Sequence, residues 1–151
     1  MAEFEYFNLN DVDPTFHPID PGVYALRLKK IEFKTIIPSK GQRVGLETPL
    51  VNANFSVINH DKFSGRSLRY TFWPANSYDQ KALARLSTAV GVPQEQGEPF
   101  PEYIKRLGET NPPVEFKTFV AIEQSGVDET VDPPKPIMDN KIKWSNVLPI
   151  N

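Results

Sequence analysis

Prolines constrain the fold of this chain more than any other feature of its sequence. Fifteen prolines occur among 151 residues, and each one removes a backbone N–H donor and interrupts a helix or a central strand. They concentrate in the first 21 residues and in the connections, leaving five windows of strand-like alternation and one good window of helical periodicity. The sequence therefore predicts a mainly β domain with one principal helix.

The first expected strand, residues 23–37, carries a break in its alternation. Apolar residues alternate as far as Leu28 and resume at Ile31, one residue out of phase. Such a slip predicts a β-bulge at Lys29 and Lys30, which would bend the strand. The other expected strands are residues 50–58, 66–73, 114–123 and 141–148.

Helical periodicity replaces alternation after Ser77, which we predict as the N-cap, and it ends at Gly91. A shorter helix is expected at 101–107, and an acidic, proline-containing loop at 125–139. Three strands, a helix and two strands form the element order of a five-stranded OB-like antiparallel barrel with a helix between strands 3 and 4. A β-sandwich or a split β+α domain would give the same order.

Charge is distributed unevenly along the chain, although the net charge is only −2. Residues 1–22 carry five acids and no Lys or Arg, whereas residues 23–74 carry nine bases against three acids. We therefore expect an acidic N-terminal arm, residues 1–21, followed by one OB-like domain, residues 22–151. The net charge is near zero because the acids elsewhere in the chain offset the basic residues of 23–74. It therefore does not exclude a nucleic-acid partner.

Several functional classes are disfavoured by what the sequence lacks. The absence of cysteine excludes disulfides, Cys-ligated zinc, iron–sulfur clusters and a cysteine nucleophile. His17 and His60 belong to no metal-binding motif, and no phosphate loop occurs, so we expect no metal, no cofactor and no enzymatic activity.

No apolar run approaches the ~18 residues that span a bilayer, and the acidic start does not resemble a signal peptide. We expect a cytoplasmic protein without membrane contact.

The outer face of the second and third strands carries features of a single-strand binder. Such proteins combine a cationic groove for phosphates with aromatic faces for bases, and an outward Trp73 beside Arg69 is unusual on a merely solvated face. The alternative for Trp73 is packing under the arm or the helix, while Trp144 is expected in the core. The expected DNA-binding residues are Arg27, Lys29, Lys40, Arg43, Asn52, Asn54, Arg66, Arg69, Trp73, Lys141 and Lys143.

Four short motifs resemble phage-encoded OB-fold single-stranded DNA-binding proteins. They are PGVYALRLKKI at 21–31, FSGRSL at 63–68, KALARL at 81–86 and NKIKWSNVLP at 140–149. The resemblance implies sequence-independent single-stranded DNA binding in phage DNA replication or recombination, within the host cytoplasm, and replication or recombination proteins as further partners. Many single-strand binders end in an acidic tail, whereas the last five residues here carry no charged side chain.

Two further readings stay open at this point. One is an OB-like protein–protein interaction module, such as a phage accessory or assembly protein, and the other is single-stranded RNA binding. The sequence contains no motif that reads a 2′-hydroxyl, so it does not separate RNA from DNA. Assembly into a homo-oligomer also stays open.

The acidic arm leads to a prediction of its own. If residues 1–21 fold over the basic face and compete with DNA, then removing them is expected to tighten single-strand binding at low salt. The measurement is a fluorescence titration of the full and truncated chains. Equal affinities would rule out competition and leave a contact with a neighbouring subunit as the arm's role.

Overall fold

The computed structural model describes residue 10 and residues 17–150, so most of the predicted arm lies outside the described residues. The described part is mainly β, as expected, with six strands and two helices. The helices follow one another between the third and fourth strands. The elements are β1 Gly22–Ile36, β2 Thr48–Ile58, β3 Ser67–Phe72, α1 Ser77–Val90, α2 Phe100–Glu109, β4 Glu115–Asp128, β5 Lys135–Ile142 and β6 Leu148–Pro149.

The strands form one antiparallel sheet in the order β3-β2-β1-β4-β5, and β6 pairs with β4. Within the described residues, β3 and β5 are the two ends of this order and do not pair with each other by hydrogen bonds. The sheet is therefore open along the line where β3 and β5 approach. Neither helix of the described chain is long and apolar enough to cross a membrane.

The β-bulge in β1 is confirmed. Leu28 pairs with Phe55 and Lys30 pairs with Asn54, so Lys29 has no partner on β2. The extra residue keeps the apolar side chains on the core side both before and after the bulge. It also brings Lys30 to the outer face, because Lys30 shares the face of its partner Asn54.

Trp144 occupies the centre of the core, as predicted. Its side chain is fully buried, and its ring centroid lies 5.9 Å from Phe55, 5.3 Å from Tyr70, 5.0 Å from Phe72 and 5.7 Å from Phe116. These four rings come from β2, β3 and β4, and Trp144 itself follows β5. Large aromatic rings dominate the apolar area that a core buries, so one side chain joins both ends of the sheet.

The N-cap of helix α1 lies one residue earlier than predicted, so the helix begins at the predicted cap. Asn76 is the N-cap, and its side chain accepts a hydrogen bond from the backbone N–H of Tyr78. Ser77, the predicted cap, is the first helical residue, because the Asn76 amide already satisfies the free N–H there. Gly91 ends the helix at φ 71°, a left-handed conformation that a residue without Cβ adopts without strain.

The predictions for residues 125–139 and 141–148 are wrong. Strand β4 continues to Asp128 and β5 begins at Lys135, and these segments pair with each other where a loop was expected. Strand β5 then ends at Ile142, and only Leu148–Pro149 forms a strand afterwards. We call residues 123–139 the ribbon. Both of its faces are largely exposed, so backbone pairing holds it together and its sequence shows no alternation.

The end of the predicted arm packs against the domain. Ile19 is fully buried in the core. Its N–H donates to Asn140 Oδ1 at 2.9 Å, and Asn140 Nδ2 donates back to the Ile19 carbonyl at 3.0 Å. The Arg66 guanidinium donates to the His17 carbonyl at 2.5 Å. Residues 17–19 therefore connect β5 to the chain just before β3.

Replacing Ile19 with alanine is expected to lower the free energy of unfolding by about 2–4 kcal/mol, because it leaves a cavity in the core. Urea denaturation measures the change. The control is Val23→Ala at an exposed position, with an expected change within about 0.5 kcal/mol. Equal, small effects of both substitutions would contradict a core role for Ile19. A truncation that tests the arm should remove only residues 1–16, so that Ile19 remains.

Candidate nucleic-acid interface

Two rows of polar side chains cross the outer face of β1, β2 and β3. The antiparallel register places Asn52 and Asn54 of β2 each between a β1 and a β3 partner. In one row Thr71 Oγ1 donates to Asn52 Oδ1 at 2.9 Å, which fixes that amide. In the other, Asn54 Oδ1 is buried and has no hydrogen-bond partner among the described residues. The rows are Lys30–Asn54–Arg69 and Glu32–Asn52–Thr71.

The gap between β3 and β5, which we call the seam, adjoins these rows. Its walls are Arg69, Tyr70 and Thr71 from β3, residues 123–125 from β4 and residues 139–142 from β5, so the carboxylates of Glu123 and Asp139 line it together with Arg69 and Lys141. The half-buried ring of Tyr70 faces the seam, and Lys141 Nζ lies 5.5 Å from its centroid. Because this ring also packs against Trp144, Tyr70 belongs to both the core and the seam.

The buried carboxylate of Asp79 holds the aromatic residues of this region in place. Its Oδ1 accepts a hydrogen bond from the Tyr70 hydroxyl at 2.7 Å, and its Oδ2 accepts one from the backbone N–H of Trp73 at 2.8 Å. Burial raises the pKa of Tyr70 well above its ordinary value, and the hydrogen bond to Asp79 raises it further. Tyr70 is therefore neutral at physiological pH, and its ring has a fixed orientation.

Trp73 lies directly after β3, two residues beyond Thr71. It keeps 37% of its surface exposed, so the ring is accessible from solvent. An accessible indole beside a cationic strand offers a flat surface on which a nucleotide base can stack.

Two of the expected DNA-binding cations are paired with carboxylates. Arg27 Nε and Nη2 both lie 2.7 Å from Glu115 Oε2, and Lys143 forms an ion pair with Glu123. The hydrogen bond from Lys143 also lowers the pKa of Glu123. These two cations therefore contribute little positive field to the outer face.

The remaining expected cations lie in several places. Arg69 and Lys141 line the seam, and Arg66 binds the His17 carbonyl. Lys29 is exposed at the bulge. Two of the expected residues, Lys40 and Arg43, lie in the β1–β2 loop and line neither the rows nor the seam.

Lys30 and Tyr70 were missed as site residues. The phase slip of β1 was a signal for Lys30, because a bulge changes which lysine faces outward. No comparable signal exists for Tyr70, since its place in the alternation indicates a core residue. Its partial exposure follows from the open edge of the sheet.

The described residues contain no group of three or more His, Asp or Glu side chains that would hold a metal ion. No protein-family model, curated protein or solved structure matches this chain. The rows, the seam and Trp73 are therefore the features on which a functional assignment rests.

The raised pKa of Tyr70 predicts a loss of stability at alkaline pH. An unfolded tyrosine ionises near pH 10, whereas folded Tyr70 keeps its proton, so its contribution is complete below about pH 10 and decreases as the pH rises further. Tyr70→Phe is expected to reduce this decrease, while costing about 1 kcal/mol at neutral pH through the lost hydrogen bond. Urea unfolding across this pH range provides the measurement, with the exposed Tyr78→Phe as control. The same alkaline decrease in Tyr70→Phe as in the wild type would contradict the assignment.

Proposed function

We propose that this protein binds single-stranded DNA without sequence preference. The observation that carries the proposal is the set of cations around the seam. Lys30, Arg69 and Lys141 form no ion pair among the described residues. Lys30 and Arg69 line a groove together with Tyr70, Lys141 lies over the Tyr70 ring, and the exposed Trp73 follows three residues later in the chain. Unpaired cations attract phosphates and accessible rings stack on bases, which are the two requirements of a single-strand binder.

The chemistry of this face favours binding without sequence preference. Cations recognise the phosphates of any sequence, and every base has a face that can stack on an aromatic ring. The amide oxygen of Asn52 is already occupied by Thr71, which leaves few fixed groups for reading base edges. We infer that the strand runs along β3 and past Lys141 in the seam, and that it avoids the outer part of the ribbon, residues 128–132, whose carboxylates repel phosphates.

The proposal includes an OB-like barrel as the fold. The sheet order becomes that of the partly open OB barrel if β3 and β5 are adjacent. Contacts between β3 and β5 support this adjacency, as does the position of Lys141 over the Tyr70 ring. Both helices lie between β3 and β4 in the chain, where the OB element order has its helix.

We place this binding in phage DNA replication or recombination, in the host cytoplasm, without enzymatic activity of the chain itself. The support is the resemblance of the four sequence motifs to phage single-strand binders. Replication or recombination proteins are the further partners that such a role implies.

One observation favours a second function, an OB-like interaction module. Val23 and Phe119 are direct cross-strand partners on the outer face of β1 and β4, and they keep 64% and 41% of their surfaces exposed. Neighbouring exposed apolar residues of this kind are typical of protein contacts. Single-stranded RNA offers the same phosphates and bases, and the experiment below includes it.

Tryptophan fluorescence distinguishes these functions, because Trp73 is exposed and Trp144 is buried. We expect oligo-dT to quench the fluorescence, a matched duplex to quench it weakly, and added salt to weaken the binding. Stronger quenching by single-stranded RNA than by oligo-dT would indicate an RNA-binding protein. No binding of any single strand at low salt would contradict the proposal and favour the interaction module.

Substitutions at the seam test which residues bind the strand. Arg69→Ala and Lys141→Ala are each expected to lower affinity and to reduce the salt slope by about 0.7, the change for one lost phosphate contact on a single strand. Trp73→Ala is expected to cost about 1–3 kcal/mol of binding free energy through lost stacking. Fluorescence anisotropy of labelled oligo-dT gives the affinities. The controls are Lys81→Ala and Lys105→Ala on the exposed faces of the helices, and losses as large in these controls would refute the assignment to the seam.

A further inference from the structure

The ribbon extends beyond the rest of the sheet. Strand β1 pairs with β4 only between Glu115 and Val120, and β6 pairs with β4 only at Phe116 and Lys117. Within the described residues, the two strand segments of the ribbon therefore have only each other as strand partners. A two-stranded ribbon is marginally stable by itself, and its free edges and faces are available for another protein surface.

The surface of the ribbon is both acidic and apolar. It contains five carboxylates and one cation, Lys135, and Val127, Ile137 and Met138 are exposed. The negative charge makes phosphate a poor ligand. A protein surface with exposed apolar side chains and unpaired cations would complement it.

The β1–β2 loop, residues 37–47, has that complementary character. Its charged residues are Lys40, Arg43 and Glu47, which give a net charge of +1. The Arg43 guanidinium donates to Thr48 Oγ1 at 3.0 Å and to the Glu47 carbonyl at 3.3 Å, and it has no carboxylate partner among the described residues. The exposed apolar residues of the loop are Ile37, Val44 and Leu46.

The ribbon and this loop leave the sheet in opposite directions. Strands β1 and β4 are antiparallel and pair from Gly22–Val120 to Arg27–Glu115. Beyond Gly22, β4 continues into the ribbon, and beyond Arg27, β1 continues towards the β1–β2 loop. Because the ribbon and the β1–β2 loop lie at opposite ends of this strand pair, the ribbon of one molecule can contact the loop of another molecule.

We propose that the ribbon of one copy docks on the β1–β2 loop of the next copy, so that the protein associates head to tail. Such a contact joins two different surfaces and leaves one of each free, so it forms a linear array unless the ends close into a ring. The contact does not depend on DNA binding. It gives Lys40 and Arg43 acidic partners, and neither residue has one within the described part of a single chain.

Sedimentation velocity of the full chain without nucleic acid tests the proposal. We expect the average mass to rise with concentration past the dimer and to fall as salt screens the charges. Reversing the ribbon charge with Asp128→Lys, Glu129→Lys and Asp132→Lys, or the loop charge with Lys40→Glu and Arg43→Glu, is expected to weaken association about tenfold or more.

Mixing the two variants supplies the decisive measurement. Each ribbon in the mixture can meet a loop of opposite sign, so association is expected to recover. The matched control is Lys81→Glu with Lys105→Glu on the helices, which changes the charge as much as the loop variant does and is expected to leave association unchanged.

Three results would overturn the proposal. A closed dimer that is weakened by the ribbon variant but not by the loop variant would indicate ribbon-to-ribbon pairing. Failure of the mixture to recover would show that the two surfaces do not meet. A wild-type protein that is monomeric at every concentration would exclude self-association and leave the acidic N-terminal arm of the same chain to cover the loop.

Discussion

The burial of Trp144 is the constraint on which the rest of the structure depends. A sheet with one apolar face must cover that face, and here a single indole contacts rings from β2, β3 and β4. Because Trp144 follows β5, these contacts bring the end of β5 towards β3 although the two strands share no hydrogen bonds. The seam is thus a consequence of core packing, and Tyr70 faces it because its ring packs on Trp144.

The bulge at Lys29 is the second determinant of the site. Without it, the residues of β1 beyond Leu28 would turn their apolar side chains outward, since a one-residue slip exchanges the two faces of a strand. With it, Ile31 remains in the core and Lys30 joins Asn54 and Arg69 on the outer face. One extra backbone residue therefore supplies both a continuous core and a cation beside the seam.

Much of the fold was predictable wherever one face of an element is buried. The bulge, the course of β2 and β3, the apolar stripe of α1 and the burial of Trp144 all follow from alternation or helical periodicity, because these patterns record burial. The ribbon was missed for the same reason, since both of its faces are largely exposed. Its strands pair through the backbone, with one further hydrogen bond from Ser125 Oγ to the Ile137 carbonyl. Arg69 and Trp73 were predicted to face outward, and both are exposed.

The positions of the charged residues were predictable from the sequence, but their ion pairs were not. The sequence by itself determined that an acidic segment precedes a basic block and that the basic residues fall on strands with one polar face. Only the tertiary structure decided which cations stay unpaired. Arg27 is neutralised by Glu115, 88 residues away, and Lys143 by Glu123, 20 residues away, whereas Lys30, Arg69 and Lys141 form no ion pair in the described part of the chain. Ion pairing depends on distance in space, and only sheet register brings residues so far apart in the chain within a few ångströms of each other.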